Sequence, residues 1–290
     1  MTPESLLASG VPLALAEVVS AEGSSPRDPG AWLLVSAAAT AGTIGGGRLE
    51  WEVTARARTL LDGADSAGVI ALPLGPALGQ CCGGHVRVRL SLLDGAGRRA
   101  LRARLAEAAA ARPAVYVFGA GHTGMALARA LAPLPLAVSL VDTRLNHLEA
   151  APPGVEQVLS AMPEGVVRAA SAGSGFAVMT HDHGLDFLIV SEALGREDAA
   201  YVGLVGSVTK RARLERQLAR EEQVTAAGLT CPIGAAGLGD KRPEVIALHT
   251  AAEIMAAMGA ASARRTVGEE PLAVGSAEDV LRGERLAWTR

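Results

Sequence analysis

The sequence predicts a two-domain α/β protein in which a small α/β domain precedes a Rossmann-like, doubly wound parallel sheet. Its 290 residues suffice for two separate cores. From Ala114 onward, short apolar runs alternate with helical segments, which is typical of parallel strands buried on both faces. The run Gly119-Ala120-Gly121-His122-Thr123-Gly124 follows the first of these strands. We place the boundaries at 1–97 for the N-terminal domain, 98–113 for a helical linker, 114–261 for the Rossmann-like domain and 262–290 for a tail.

The first domain is predicted from short strands around one helix. Residues 11–21 alternate weakly and residues 31–37 are apolar, so both segments indicate strands. The glycine run 42–47 leads into Leu49–Leu61, whose apolar spacing and charged face indicate a helix. Two more strands are predicted over Val69–Leu74 and Val86–Leu93, the second with Arg87 and Arg89 on its exposed face, and an Ala/Arg-rich helix follows over 98–111.

The second domain is predicted as a β-α alternation that closes with a longer helix. Pro243 suits a first helical turn, so a helix is expected over Glu244–Met258. After Ser262 the sequence becomes polar and irregular, although Ala277–Leu286 is compatible with a short helix formed on a partner. The strands are predicted at Val115–Phe118, Val138–Val141, Val155–Leu159, Phe176–Thr180 and Tyr201–Val205.

The composition argues against several classes of protein. The net charge is −3 and aromatic residues make up 3%, with no basic stripe among them, so nucleic-acid binding is not expected. No stretch of about 20 apolar residues occurs, which predicts no membrane span, and the start lacks a secretory signal pattern. Three cysteines do not make a disulfide framework, so we expect a cytoplasmic location.

A nucleotide site is predicted at the glycine fingerprint of the second domain. Gly119, Gly121 and Gly124 lie between a strand and a helix, and Asp142 ends the next strand about 20 residues on. In this arrangement the helix N-terminus faces a phosphate and the acid lies near the ribose hydroxyls. The fold is predicted more firmly than a bound dinucleotide, because a fold does not imply a function.

Two further loops are expected to meet the fingerprint loop in one crevice, because all three follow strands at the same edge of the sheet. One loop carries His181, Asp182 and His183, as metal ligands, as acid/base groups, or as a helix cap formed by Asp182; we favour the cap over a zinc site. The other carries Lys210 and Arg211, which either hold a phosphate or lie on a solvated helix face.

Two glycine-rich loops of the first domain are candidate binding segments. Gly45, Gly46 and Gly47 precede a helix and are predicted to offer free backbone N–H groups to an anion, with cations from Arg48 and Arg27; a plain turn is the alternative. The second loop, Gln80-Cys81-Cys82-Gly83-Gly84, presents two adjacent thiols between flexible residues, or buries them as small hydrophobes. The third cysteine, Cys231, is expected to pack behind the crevice.

Five motifs in this order resemble the XdhC/CoxI family, and the resemblance covers most of residues 10–258. They are Gly23-Ser24-Ser25-Pro26-Arg27, Gly42-Thr43-Ile44-Gly45-Gly46-Gly47-Arg48-Leu49-Glu50, Gln80-Cys81-Cys82-Gly83-Gly84, the Gly119 fingerprint and Cys231-Pro232-Ile233-Gly234. The resemblance implies a protein that binds molybdenum cofactor (molybdopterin), protects it during sulfuration by a cysteine desulfurase, and delivers it to the molybdenum subunit of apo xanthine dehydrogenase. It also implies an XdhC/CoxI-like N-terminal domain and a homodimer.

The residues are compatible with this chemistry, and no catalytic residue is assigned. Cys82 is the preferred thiolate for the molybdenum of the cofactor, with Cys81 as its neighbour. Many relatives carry cysteine where Arg48 stands here, so no thiol role is transferred to that position. The cofactor-binding candidates are Arg27, Gly45, Gly46, Gly47, Arg48, Cys81, Cys82, Gly83, Gly84, Gly119, Gly121, Gly124 and Asp142.

Two other functions remain open at this point. An NAD(P)-dependent oxidoreductase is suggested by the fingerprint, with His181 and His183 as the available acid/base groups. Alternatively, the Rossmann-like domain senses a nucleotide and gates release of the molybdenum cofactor.

Overall fold

The computed structural model describes residues 1–25, 27–74, 84–221, 225–234 and 239–268. The chain divides into two compact units, Met1–Ala108 and Ala109–Arg290. The first is built on a five-stranded sheet and the second on a six-stranded sheet. The mixed α/β fold class predicted from the sequence is therefore confirmed.

The first unit is an antiparallel sheet with helices on both faces. Its elements are α1 (Pro3–Ala8), β1 (Ala14–Glu22), β2 (Trp32–Val35), β3 (Thr40–Thr43), α2 (Gly47–Leu61), β4 (Gly68–Leu74), β5 (Gly84–Leu92) and α3 (Gly95–Ala110). The strands lie in the order β3-β2-β1-β5-β4. The strands and the helix predicted for this domain are present, whereas α1 and β3 were not predicted because each is short.

The helix α2 covers one face of this sheet because its apolar residues recur at helical spacing. Leu49, Val53, Ala57 and Leu60 are buried and pack against the inward residues of β1, β2, β4 and β5. The strand β5 alternates as predicted, with Val86, Val88 and Leu90 buried between exposed His85, Arg87 and Arg89. The other face meets α1 and α3 in a smaller cluster formed by Leu6, Leu7, Leu13, Leu15, Leu34, Ala41 and Leu101.

The second unit is a parallel sheet in the order β11-β10-β9-β6-β7-β8, which is the doubly wound order of a Rossmann-like domain. The order reverses between β6 and β9, so ligands are expected above the carboxyl ends of these strands. The elements are β6 (Ala114–Phe118), α4 (His122–Leu131), β7 (Ala137–Asp142), α5 (Leu145–Leu148), β8 (Glu156–Leu159), α6 (Pro163–Ala169), β9 (Gly175–Val178), α7 (His183–Leu194), β10 (Tyr201–Leu204), α8 (Val208–Glu221), β11 (Leu229–Thr230) and α9 (Pro243–Gly268).

Each face of the parallel sheet has its own core. On one face α4 and α9 contribute Leu127, Leu131 and Ile254 to a buried cluster with the strands. On the other, residues of α7 and α8 pack around Phe118 and Phe176. The buried strand residues on both faces explain why the strands read as continuous apolar runs in the sequence.

The final helix α9 is longer than predicted, since it continues beyond Met258 to Gly268. By length and composition alone, its segment Pro243–Ala263 is apolar enough to cross a membrane. In this fold one stripe of the helix, which includes Ala247, Ala251 and Ile254, is buried in the core against α4. A core helix meets the same criterion, and the absence of a membrane span stays a prediction.

Candidate functional site

The glycine loop before α2 is organised by a carboxylate of the chain itself. Glu50 Oε2 accepts hydrogen bonds from Thr43 Oγ1 at 2.7 Å, Ile44 N at 3.2 Å and Gly46 N at 3.1 Å. Gly45 N donates to Thr43 Oγ1 at 3.1 Å. The prediction of free amide groups at Gly45 and Gly46 is therefore wrong, because Gly46 N donates to the Glu50 carboxylate and Gly45 N donates to the Thr43 hydroxyl.

This internal closure leaves a rigid turn with its outer surface exposed. Gly45, Gly46 and Gly47 have φ angles of 125°, 74° and 61°, which a side chain would strain. Arg48 is exposed and forms no ion pair with any residue that the structure describes. One turn further along α2, the Trp51 side chain is 70% exposed. A cation and a bare indole thus lie together on the surface at the start of α2.

Of the other predicted site residues in the first unit, the structure describes Arg27 and Gly84. Arg27 is exposed, and its carbonyl oxygen accepts a hydrogen bond from Ser25 Oγ at 2.8 Å. A Cβ atom on Gly84 would lie 2.5 Å from the carbonyl oxygens of Glu22 and Ser24, so this glycine is required by the close approach of two backbones. Cys81, Cys82 and Gly83 lie outside the described residues, and their proposed roles stay predictions.

In the second unit, the three fingerprint glycines have different structural roles. Gly119 has a φ of 105°, and a Cβ atom there would lie 2.5 Å from the Met179 carbonyl oxygen. A Cβ atom on Gly124 would overlap the carbonyl oxygen of Gly119. Gly121, in contrast, would direct a Cβ atom into open space beside the N-terminus of α4. Gly119 and Gly124 are needed for packing, whereas Gly121 leaves room above the helix N-terminus.

The acid at the end of β7 is already occupied by protein donors. Asp142 Oδ2 accepts from Ala120 N at 2.7 Å, which ties the carboxylate to the fingerprint loop. Arg144 donates to the same carboxylate from Nε at 2.9 Å and from Nη2 at 3.1 Å. A ribose that used Asp142 would have to share this carboxylate with Arg144.

These donors set the ionisation of Asp142. Burial alone raises the pKa of its carboxyl, but the hydrogen bonds from Arg144 and from Ala120 N–H outweigh burial and leave the pKa below its usual value. The same pair raises the pKa of the Arg144 guanidinium. The pair is fully charged at neutral pH.

The expectation of one shared crevice is met only in part, since the fingerprint loop and the loop 180–183 line one cavity and the loop 205–207 lines another. A small cavity of about 10 Å³, the room of a single water molecule, lies beside Gly119, Asp142, Pro163 and His181. A separate groove of about 1030 Å³ lies between α7 and α8 and is lined in part by the loop 205–207. Thr180 lines both. The fingerprint loop does not line the larger groove, because α7 begins between the two spaces.

The loop after β9 caps a helix. Asp182 Oδ1 accepts from Gly184 N at 2.6 Å and Leu185 N at 3.0 Å, as an N-cap residue does. These backbone N–H bonds lower the pKa of the Asp182 carboxyl. His181 and His183 are exposed. Among the residues that the structure describes, no group of three or more His, Cys, Asp or Glu is arranged to hold a metal ion.

A buried ion pair stands at the end of the larger groove. Asp186, with 1% of its side chain exposed, accepts from Lys210 Nζ at 2.6 Å and from Thr180 Oγ1 at 2.7 Å. Lys210 Nζ also donates to the Val205 carbonyl oxygen at 2.9 Å. Lys210 therefore does not lie on a solvated face: two of its three N–H bonds go to protein oxygens, and the third is left for a ligand oxygen.

Arg211 and Cys231 belong to the packing of the same region. Arg211 pairs with Glu215 and donates to the carbonyl oxygens of Leu229 and Cys231, so it fixes the chain after α8. Cys231 is buried in the α7 and α8 core, which agrees with the expected packing role. Burial raises the pKa of its thiol.

Sequence reasoning missed four residues that shape these sites: Glu50, Trp51, Arg144 and Asp186. Glu50 was noted only as part of a motif, although an acid three residues after a glycine run is a detectable sign of a loop closed by its own helix. Trp51 was also detectable, because aromatic residues make up only 3% of the chain. Nothing in the local pattern of α7 separates Asp186 from a surface acid.

Comparison with known proteins connects both units to one family. A sequence model of the XdhC Rossmann domain matches residues 115–254, and a model of the XdhC and CoxI family matches residues 6–70. The uncharacterized protein YqeB of Escherichia coli strain K12 is 28% identical over 255 residues, which span 84% of this chain and 43% of YqeB. The chain thus covers less than half the length of that relative.

The fold has also been seen in a solved structure. A protein from Bacillus halodurans described as a xanthine dehydrogenase superposes with a TM-score of 0.74 at 19% identity, covering 89% of this chain and 94% of that one. At this identity the likeness establishes the shared fold and leaves function to other arguments.

Proposed function

The chain belongs to the XdhC and CoxI family, and on that premise we propose that it acts in the maturation of xanthine dehydrogenase. In this role it binds the molybdenum cofactor, shields it during sulfuration by a cysteine desulfurase and delivers it to the molybdenum subunit of the apo-enzyme. The protein itself turns over no substrate. The observation that carries the proposal is the match of both units to models of this family, at residues 6–70 and 115–254.

The surface at the start of α2 supports binding of this cargo. Molybdopterin joins a flat pterin ring to a phosphate group, so a site for it needs a cation and a surface for stacking. Arg48 supplies a guanidinium that pairs with none of the described residues, and Trp51 supplies an indole that is 70% exposed. Because Glu50 holds the glycine loop in place, neither side chain has to order its backbone when the cargo binds.

The thiols of the cysteine loop are the second element of the proposal. A soft thiolate suits molybdenum and its sulfur ligands, and Cys82 is the preferred residue with Cys81 beside it. Arg27 and the glycines of this loop would complete the surroundings of the cofactor. Replacement of Cys82 by alanine separates a thiol that contacts the cofactor from one that only packs.

The test is binding and protection of the isolated cofactor under anaerobic conditions. Stoichiometric binding and slower loss of the cofactor on exposure to air are expected for the wild type. Arg48→Glu and Trp51→Ala should each weaken binding by about 10-fold or more, corresponding to about 1.4 kcal/mol or more. Arg56→Ala, on the same helix, is the matched control, because it removes only an exposed pair with Glu52. A wild type that neither binds nor protects the cofactor would overturn the proposal.

Oligomeric state and location are part of the same proposal. A homodimer is expected, and sedimentation equilibrium of the full chain measures it. The proposed location is the cytoplasm. Neither a nucleic acid nor a membrane is among the proposed partners.

A second candidate function uses the fingerprint of the second unit. The open space at Gly121 and the uncovered start of α4 favour a nucleotide there, either as the cosubstrate of an NAD(P)-dependent oxidoreductase or as a signal that gates cofactor release. Titration with NADH and NADPH, followed by a search for hydride transfer, distinguishes the two. Binding without hydride transfer favours gating, provided that it changes the affinity for the molybdenum cofactor.

A further inference from the structure

We propose that the groove between α7 and α8 is a separate binding site for a phosphate monoester attached to a flat heterocycle, such as a mononucleotide or a pterin phosphate. The groove has a volume of about 1030 Å³, ample for a ligand of this size. It opens at the carboxyl ends of β9 and β10, one strand away from the switch point between β6 and β9. Neither the cofactor surface on α2 nor the fingerprint crevice includes it.

One end of the groove offers hydrogen-bond donors in excess of protein acceptors. Lys210 has used two N–H bonds, on Asp186 and on the Val205 carbonyl, and retains the third. Because Asp186 is neutralised by Lys210, this buried acid does not repel an incoming anion. The space beside Lys210 can therefore receive an oxygen atom of a phosphate.

The α8 wall carries polar side chains with no partner of their own. Among the described residues, the side chains of Thr209, Arg213 and Gln217 form no hydrogen bond or ion pair with the protein, and all three line the groove. Arg213 lies one turn from Lys210 on the same helix, so both cations reach the same end of the space. The guanidinium of Arg213 can bind two phosphate oxygens in a forked geometry, and the hydroxyl of Thr209 can donate one further hydrogen bond.

Beyond His183 and Asp186, the side chains of α7 that line the groove are apolar, and so is part of its floor. Phe187 and Leu188 of α7 face Leu214 of α8, and Leu204 closes the end of β10. Leu188 is 53% exposed and offers apolar surface to a ligand in the groove. From Thr209 to Gln217 the groove runs about 12 Å along the helix, at about 1.5 Å per residue. This length suits a phosphate, a short linker and one ring system, rather than an extended dinucleotide.

The proposal is tested by calorimetric titration of the full-length protein with AMP, neopterin monophosphate, NADH and adenosine. At least one of the two monoesters should bind, and adenosine should bind at least about 10-fold more weakly than AMP if the nucleotide is the ligand. Arg213→Glu should weaken binding of the monoester by about 10- to 100-fold. Arg216→Glu is the matched control, because Arg216 lies on the same helix outside the groove and, within the described residues, donates to the Ala212 carbonyl alone.

Two further variants show whether the monoester binds in the groove, and circular dichroism shows whether each variant is folded. Leu188→Glu places a negative charge in the groove at an exposed position and should weaken binding, whereas Gly121→Ala alters only the fingerprint crevice and should not. All four variants should retain the circular dichroism spectrum of the wild type. Failure of both monoesters to bind, or binding unaffected by Arg213→Glu and Leu188→Glu, overturns the proposal. Delivery of molybdenum cofactor is measured in a separate experiment, so a failure of the proposed function can be distinguished from a failure of the groove to bind a monoester.

Discussion

The Glu50 carboxylate closes the glycine-rich loop from within, with its Oε2 atom 2.7 Å from the hydroxyl oxygen of Thr43. The same oxygen receives the amide groups of Ile44 and Gly46. A loop that looks in sequence like a cradle for a bound anion is thus filled by the helix that follows it. Its function is to fix the backbone from which Arg48 and Trp51 extend.

Replacing Glu50 therefore affects stability through the loop. Glu50→Ala leaves the Thr43 hydroxyl and two backbone amides without their acceptor, and should lower the free energy of unfolding by about 2 kcal/mol. Glu50→Gln retains one acceptor oxygen and should lower it by about half as much. Urea unfolding measures both. Glu52→Ala, which removes an exposed pair with Arg56, should change stability by less than about 0.5 kcal/mol. Equal effects of Glu50→Ala and Glu52→Ala would contradict the role of Glu50.

The three fingerprint glycines should respond differently to alanine. Gly124→Ala overlaps the carbonyl of Gly119, and Gly119→Ala combines a clash with Met179 and an unfavourable φ of 105°. Both should lose several kcal/mol of stability or fail to fold. Gly121→Ala enters open space and should fold with stability within about 0.5 kcal/mol of the wild type. Expression level and thermal unfolding measure this, and a destabilised Gly121→Ala would show that the loop is packed differently.

The Asp142 carboxylate predicts a dependence of stability on pH. An aspartate in the unfolded chain has a pKa of about 3.9, and the Arg144 and Ala120 donors hold the folded value below this despite burial. Ionised Asp142 thus stabilises the fold above about pH 4, and the contribution disappears as the pH falls through the lower folded pKa.

The matching measurement compares wild type and Asp142→Asn by urea unfolding from pH 7 to pH 3. The stability difference should be largest near neutral pH and shrink below about pH 4. Glu197→Gln, at an exposed position, should differ from wild type by less than about 0.5 kcal/mol throughout. A difference between wild type and Asp142→Asn that is independent of pH would contradict the ion-pair account.

The buried pair of Asp186 and Lys210 should behave as a unit. Lys210→Met leaves an uncompensated carboxylate with 1% exposure and should lower the free energy of unfolding by about 3 kcal/mol. The double variant Asp186→Asn with Lys210→Met removes both charges and should recover part of this loss. A double-mutant cycle measures the coupling, and strictly additive effects would contradict it.

The Rossmann-like unit was predictable because its signals are local. A glycine fingerprint, a strand and an acid about 20 residues later each depend on neighbouring residues, and the parallel order follows from β-α alternation. The antiparallel order of the first unit was not predictable in the same way. Pairing of β1 with β5 joins residues far apart in the chain, and no turn between them fixes the register.

The candidate sites were predicted less well because they depend on how elements pack. The sequence indicated that Asp182 caps a helix, since capping is decided within three residues. It did not indicate that α7 separates the fingerprint crevice from the larger groove, nor that Asp142 is taken by Arg144. Both facts arise from side chains that meet only after the sheet and helices are assembled.

The central claim is that this protein transfers molybdenum cofactor to an apo-enzyme, and its most direct test is reconstitution. Apo xanthine dehydrogenase is incubated in air with a fixed amount of sulfurated cofactor, either free or bound beforehand to the protein, and the enzyme activity recovered is measured. The account predicts several-fold more activity from the bound cofactor, and a loss of that gain with Arg48→Glu but not with Arg56→Ala. Equal activity from free and bound cofactor would contradict it.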